Sequence, residues 1–308
     1  MAAGSVSVGA STNQRRSRGI PERRLATYMV APSMVLIALD ALWPVVYAIW
    51  LSLHEYSLVQ AGVSRWAEPF GLGNYIDALQ SREFWRATRI TVVFTIASVF
   101  LETLLGLAMA LIMHSAFKGQ GLLRTVVLVP WAVLTVVTAI MWKTIFDPNL
   151  GFVNTLLGTN TVWLGEEPQA LMVMIFADVW KTAPFMALLL LAGLQVIPSE
   201  VYEAAKVDGA TTFQRFRRIT LPLLAPALVV ALIFRTLDAL RAFDLPKVLT
   251  NGANGTETLS LIAAREFQEN RLYGEGATLS ILTFLIVMLI SFAYIRLVGG
   301  NLKAMAED

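Results

Sequence analysis

The sequence contains no cysteine. That absence removes disulfides, thiol nucleophiles and zinc–thiolate sites together. Histidine is nearly as scarce. His54 and His114 are the two in the chain, sixty residues apart, and they are expected on opposite sides of a membrane, so they do not make a shared metal site. No lysine directly follows a glycine, so the chain has no GxxxxGK[ST] loop with which to cradle nucleotide phosphates. Charge is also thin. Asp, Glu, Lys and Arg make up 15% of the residues, and the net charge of +2 is too small to point to a nucleic-acid partner. No nucleophile–base pair stands out that would make the chain a membrane-embedded enzyme.

What is present is apolar surface. The chain is 56% hydrophobic with a mean hydropathy of +0.63, far above that of an ordinary water-soluble domain. Runs long enough to cross a hydrocarbon core of ~30 Å as helix recur near 26–51, 89–113, 123–145, 170–195, 223–245 and 277–298. The expected fold class is therefore all-α, a polytopic membrane protein with six transmembrane helices. The first run is too long for the core of a signal peptide and reads as an uncleaved span. Residues 1–20, rich in Ser, Gly and Arg, read as a disordered tail.

Lys and Arg set the orientation. With the N-terminus in the cytoplasm, the inner segments hold Arg15, Arg16, Arg18, Arg23, Arg24, Lys118, Arg124, Lys206, Arg215, Arg217, Arg218 and Lys303. The outer segments hold Arg65, Arg82, Arg86, Arg89, Lys247, Arg265 and Arg271. The bias is twelve against seven and puts 196–222 inside. In the first outer loop, "FGLGNYIDALQSREFW" predicts a short interfacial helix. The second carries turn formers in "DPNLG". The third has Asn-Gly turns at 251–252 and 254–255, then an amphipathic stretch over 258–270. Asn254-Gly255-Thr256 also matches a glycosylation sequon, a pattern common by chance.

Charges inside the apolar runs are few and specific. The fifth run places Arg235, Asp238, Arg241 and Asp244 at intervals of three. Three of these would cost about 8–10 kcal/mol to insert, against about 3–7 kcal/mol returned by the eleven large apolar residues of 223–243. The helix is thus expected to turn these groups inward, either paired with neighbouring helices or walling a substrate cavity in the outer half of the membrane. The fourth run adds Asp178, Trp180 and Lys181. Asp178 and Lys181 share a face and can pair, and Pro184 is expected to kink the helix. Aromatic faces beside hydrogen-bonding charges suit a sugar, whose ring faces stack while its hydroxyls need polar partners. Glu102 and Asp40 stand as lone acids, open to a structural hydrogen bond or to proton coupling.

The most distinctive stretch is polar. "EAAKVDGATTFQRFRRITLP", residues 203–222, lies between two apolar runs. Val201, Ala204, Ala205 and Val207 supply small apolar contacts, and Gly209 supplies a hinge between two short helices. Arg215, Arg217 and Arg218 anchor at lipid headgroups. Leu221-Pro222 is expected to restart a helix at the membrane.

This segment resembles the cytoplasmic signature of ABC importer permeases: Glu-Ala-Ala, three residues, Gly, nine residues, Ile, one residue, Leu-Pro. Glu203, Ala204, Ala205, Gly209, Ile219, Leu221 and Pro222 stand at that spacing unbroken. Within the family the chain is similar to carbohydrate-uptake permeases of the maltose and trehalose type, through "GLGNY" at 71–75, "RTVVLVPW" at 124–131, "GFVNTLL" at 151–157 and "FRTLDALRAFDLPKVLT" at 234–250. It looks most like the first permease subunit of actinobacterial trehalose importers. It lacks the large outer domain and added N-terminal spans of the enteric maltose subunit.

The resemblance implies a type I importer permease fold over 25–298, with cytoplasmic tails at 1–24 and 299–308 and a coupling segment at 199–222. It implies that Glu203, Ala204, Ala205 and Gly209, with Asp208 adjacent, dock on a separate ATPase. The implied partners are two ATPase subunits, a second, related permease subunit forming a heterodimer, an extracytoplasmic sugar-binding lipoprotein or periplasmic protein, and membrane lipids. No cofactor is expected in this chain, since the partner ATPase binds ATP and Mg. The implied place is the bacterial plasma membrane. An ion-coupled secondary transporter using Glu102 or Asp40 is the alternative, and it leaves the seven-position motif unexplained.

Overall fold

The computed structural model describes residues 22–56, 70–115 and 118–307. Residues 1–21 of the expected N-terminal tail, including Arg15, Arg16 and Arg18, lie outside the described residues, as does Arg65. The chain divides into two compact units, Met1–Tyr47 and Ala48–Asp308. The described part of the first belongs to α1 (Glu22–Ser52), an apolar helix that contains Pro32 and Pro44.

The second unit is built, among its described residues, of helices joined by turns and short loops, with one isolated bridge between His54 and Phe70. Its elements are α2 (Gly73–Gln80), α3 (Arg82–His114), α4 (Gln120–Ala132), α5 (Thr135–Ile145), α6 (Phe152–Leu157) and α7 (Glu167–Val196). They continue with α8 (Ser199–Val207), α9 (Thr212–Arg215), α10 (Leu221–Ala239), α11 (Asp244–Thr250), α12 (Leu259–Ala264) and α13 (Tyr273–Glu307). Five described helices are long and apolar enough to cross a membrane, or six if the bent pair α4–α5 is one span. The expected interfacial helix of the first outer loop is α2, and both Asn-Gly pairs adopt left-handed turns, with φ between 55° and 81°.

Small residues let the spans approach. A Cβ on Gly106 of α3 would come within 2.9 Å of Met186 Cβ and 3.1 Å of the Ala187 backbone nitrogen on α7. A Cβ on Gly193 of α7 would meet Leu224 of α10 at 2.9 Å. In a membrane, where lipid is as apolar as leucine, such close backbone packing replaces the hydrophobic drive between helices. Around these glycines Met113, Met186, Leu190, Leu194 and Leu224 form a buried cluster that joins α3, α7 and α10.

Three expectations need correction. The third apolar run is not one straight span: α4 ends at Ala132, Val133 and Leu134 are extended, and α5 leaves at a bend of 89°. The fifth run does not continue to 245, because α10 stops at Ala239 and a turn leads to α11. Arg241 and Asp244 therefore do not share a helix with Arg235. Finally, α10 resumes at Leu221 with Pro222 in its first turn, but it is not a separate start. Thr211 and Gln214 form a reciprocal capping box that starts the helix earlier, and it runs unbroken from Thr212 to Ala239. A π-helical turn at Phe216–Thr220 widens the ladder just before Pro222, where a missing N–H would interrupt a regular α-helix.

Candidate substrate cavity and coupling segment

The polar centre of the second unit is built on Arg235. A guanidinium carries five donors in a fixed fork, and here three carboxylates meet it. Nε donates to Glu102 Oε2 at 2.5 Å and Nη2 to Glu102 Oε1 at 2.9 Å, from α10 to α3. Nη1 donates to Asp238 at 3.0 Å, and Nη2 also reaches Asp178 on α7. Thr182 adds a hydroxyl to Glu102 Oε1 at 2.6 Å. Bidentate, charge-assisted bonds of this kind offset the large desolvation cost of burying both ions. Side-chain exposure rises outward through the cluster, from 0% at Glu102 to 14% at Asp178 and 70% at Asp238.

That gradient ends in a cavity of ≈ 290 Å³ between α7, α10 and the start of α11, with Trp131 and Thr135 from the broken third run on its wall. Asp178, Lys181, Arg235, Asp238, Arg241 and Asp244 all line it, so six of the seven expected cavity residues come together. The turn after Ala239 is what brings Arg241 and Asp244 back to the wall. Three positive and three negative groups leave the lining close to neutral.

Trp180 is the exception. It faces an apolar groove and packs edge-on against Trp142, with centroids 6.4 Å apart. The expected Asp178–Lys181 pair is also corrected. Asp178 pairs with Arg235, and Lys181 Nζ donates instead to the backbone carbonyls of Val133 at 2.9 Å and Trp131 at 3.4 Å. Glu102, expected as a lone acid, is paired with Arg235. Pro184 sits inside an unbroken α7.

The 203–222 segment has its own geometry. Glu203 and Ala204 are exposed on α8, and Ala205 is half-buried. The helix closes in a Schellman motif: Ala210 N donates to Ala205 O at 2.9 Å and Gly209 N to Lys206 O at 3.1 Å. Gly209 carries φ +77°, a left-handed conformation that favours glycine. Asp208 is the exposed C-cap residue, while Ile219 and Leu221 are half-buried and Pro222 is exposed. Tyr202 ties α8 to the π-turn through Thr220, oxygen to oxygen at 3.1 Å.

The family described as binding-protein-dependent transport system inner membrane component matches residues 102–302. The chain belongs to this family of membrane permeases. Among its relatives is the trehalose/maltose transport system permease protein MalF of Thermococcus litoralis, 45% identical over 89% of this chain and 94% of that protein. The trehalose transport system permease protein SugA of Mycobacterium tuberculosis is 41% identical over 93% and 92%. The sulfoquinovosyl glycerol transport system permease protein SmoG of Agrobacterium fabrum is 36% identical over 90% and 91%. A chain from the crystal structure of a bacterial ABC transporter involved in the import of the acidic polysaccharide alginate superposes with a TM-score of 0.77 at 22% identity, covering 90% of this chain and 96% of its own. The fold is thus that of a type I ABC importer permease.

In this permease ion pairs tie the first turns of α3 to α7 and to the segment around α12. Arg265, after α12, bridges Glu257 and Glu83 at the start of α3, while Arg86 and Arg89 both reach Glu167 at the start of α7. Burial pushes the Glu257 carboxyl above the usual range even though Arg265 opposes the shift. Asp147 is held below its usual range by the backbone N–H groups of Leu150 and Asn149, which cap the "DPNLG" turn. Residues that sequence reasoning missed as neighbours of the cavity are Trp131, Thr135, Thr182 and Phe243. The Pro130-Trp131 pair was the one signal that could have pointed to a break there.

Proposed function

We propose that this permease is the translocation subunit of an ATP-driven importer of a neutral disaccharide, trehalose or maltose, working by alternating access. Its ATPase stands in trans. Two ATPase subunits bind ATP and Mg, and this chain performs no hydrolysis of its own. A second, related permease subunit completes the pathway, and an extracytoplasmic binding protein delivers the sugar. Both termini lie in the cytoplasm of a bacterial cell, as does the coupling segment.

The observation that carries this reading is α8. Glu203-Ala204-Ala205 stands on an exposed helix that ends at a left-handed Gly209, a compact knob suited to a cleft on a soluble motor. The substrate class rests on the cavity. Its lining of three acids and three bases, with an aromatic ring beside them, suits a polyhydroxyl ligand without net charge. The trehalose and maltose relatives favour the same class. Reconstitution of the permease pair with its ATPase and binding protein tests the coupling. Sugar uptake is expected to require ATP, and Glu203→Lys is expected to abolish it while the complex still assembles. Uptake driven by a sodium or proton gradient without ATP would overturn the reading. Thermal-shift screening of the cognate binding protein decides the sugar: stabilisation by anionic sugars alone sinks the neutral disaccharide.

A further inference from the structure

We infer that Trp131 is the surface on which a sugar ring stacks in this cavity, and that Lys181 is a positioning residue that holds it there. The inference rests on the sugar-permease reading above and adds an aromatic face, with the residue that holds it, to the charged lining.

The argument begins with the backbone. Past Pro130 the helix runs only to Ala132, and the extended residues Val133 and Leu134 turn the chain by 89°. Such a break strips carbonyls of their i+4 donors. At membrane depth there is no water to replace those donors, so a break survives only where the protein supplies hydrogen bonds. Lys181 supplies them. Its ammonium donates to Val133 O at 2.9 Å and to the carbonyl of Trp131 itself at 3.4 Å. No carboxylate lies within ion-pair distance of this ammonium among the described residues, although the cavity has three acids. The side chain is thus committed to the backbone of the break.

The same helix face supports the ring. Phe185 lies four residues after Lys181 on α7, the spacing that puts two side chains one above the other. Its ring stacks on Trp131 at 5.6 Å between centroids and 12° between planes. Lys181 therefore grips the Trp131 backbone while Phe185 backs its indole. Trp131 is still 46% exposed as a residue and lines the cavity with Thr135, Asp178 and Asp238. An aromatic face beside a hydroxyl and two carboxylates answers the two demands of a pyranose, a C–H face to cover and hydroxyls to accept from. Trp180, the tryptophan beside Lys181 in sequence, points to the apolar groove and offers nothing to the cavity. At ≈ 290 Å³ the space sits at the lower edge of the ~300–1,000 Å³ typical of ligand pockets, which fits a subsite for part of the sugar.

The test uses the complete transporter purified in nanodiscs, held open with a non-hydrolysable ATP analogue, and measures equilibrium binding of radiolabelled trehalose. Trp131→Leu is expected to weaken binding about tenfold, and Trp131→Phe by less than about threefold, the range that aromatic contacts supply. Lys181→Met is expected to reproduce the Trp131→Leu loss, Lys181→Arg to restore it, and the Lys181→Met/Trp131→Leu pair to be no weaker than either alone. Unchanged binding in Trp131→Leu overturns the inference, and so does a multiplicative loss in the pair, which would make Lys181 a sugar ligand in its own right. If Lys181→Met fails to assemble, the two Trp131 variants still decide the stacking face. A wild-type transporter that neither binds nor imports trehalose would count against the proposed substrate instead.

Discussion

Replacing Arg235 by methionine would remove the cation that bridges Glu102, Asp178 and Asp238 while keeping a side chain of similar length. Glu102 is fully buried and Asp178 nearly so, so both would lose their charged partner where solvent cannot replace it. Breaking a buried pair from one side costs about 3–5 kcal/mol. The Asp238 bridge adds little, about 0–1 kcal/mol, because that carboxylate is 70% exposed. Glu102→Gln should be milder. Its amide still accepts from Thr182 and from Arg235, and Arg235 keeps two carboxylates. In the double variant the more deeply buried of the two acids that Arg235→Met would strand is already gone, so the combined loss should fall short of the sum by about 1–3 kcal/mol. Reversible unfolding in mixed micelles titrated with dodecyl sulfate measures all four corners of the cycle. An Arg235→Met loss below about 1 kcal/mol, or additivity within about 0.5 kcal/mol, would refute the claim that this cluster ties α3, α7 and α10 together.

Two further outcomes follow from the ends of the molecule. Gly209→Val has room for its side chain but not for its backbone, since a left-handed residue with a Cβ costs about 1–2 kcal/mol. ATP-driven uptake should fall steeply while membrane levels of the complex stay near wild type, as read by uptake beside immunoblotting; normal uptake would remove the Schellman turn from the coupling role. Just before α12, Glu257 titrates above its ordinary value in the fold because burial disfavours its charge. The stability it contributes is fully present below the unfolded pKa and is lost as pH rises through the folded one. Glu257→Gln fixes the uncharged form, so thermal melts should show the wild type losing ground to the variant between acidic and neutral pH. The opposite slope would mean that pairing with Arg265 outweighs burial.

Much of this architecture was legible because lipid imposes a length rule. Runs of about twenty apolar residues marked the spans, and Asn251-Gly252 and Asn254-Gly255 announced their turns, since both residues of such a pair tolerate positive φ. The spacing of Glu203, Gly209 and Leu221-Pro222 marked the candidate coupling segment, and its Gly209 takes the left-handed turn that local backbone chemistry favours there. What stayed hidden was non-local. Arg235 and Glu102 are 133 residues apart, and no periodicity on either helix names the other. The break at Val133 and Leu134 falls in a stretch as apolar as its neighbours, and it is stabilised by a lysine about fifty residues later. Trp180 and Trp131 are equally aromatic on paper. Which one meets the cavity depends on the bend and on Phe185, neither of which a window of sequence contains.

The unbroken helix from Thr212 to Ala239 also works as a mechanical part. From Thr212 to Arg235 it is a continuous shaft of about 35 Å, irregular at the wide turn and at Pro226 but broken at neither. A displacement applied at its foot is delivered as the same displacement at the guanidinium, and that guanidinium is clamped to two other helices. The shaft can therefore move only by dragging α3 and α7 along or by tearing the clamp open. Its phase matters as much as its stiffness: one residue more or less in the wide turn would rotate Arg235 by about 100° and leave the buried Glu102 without its charged partner.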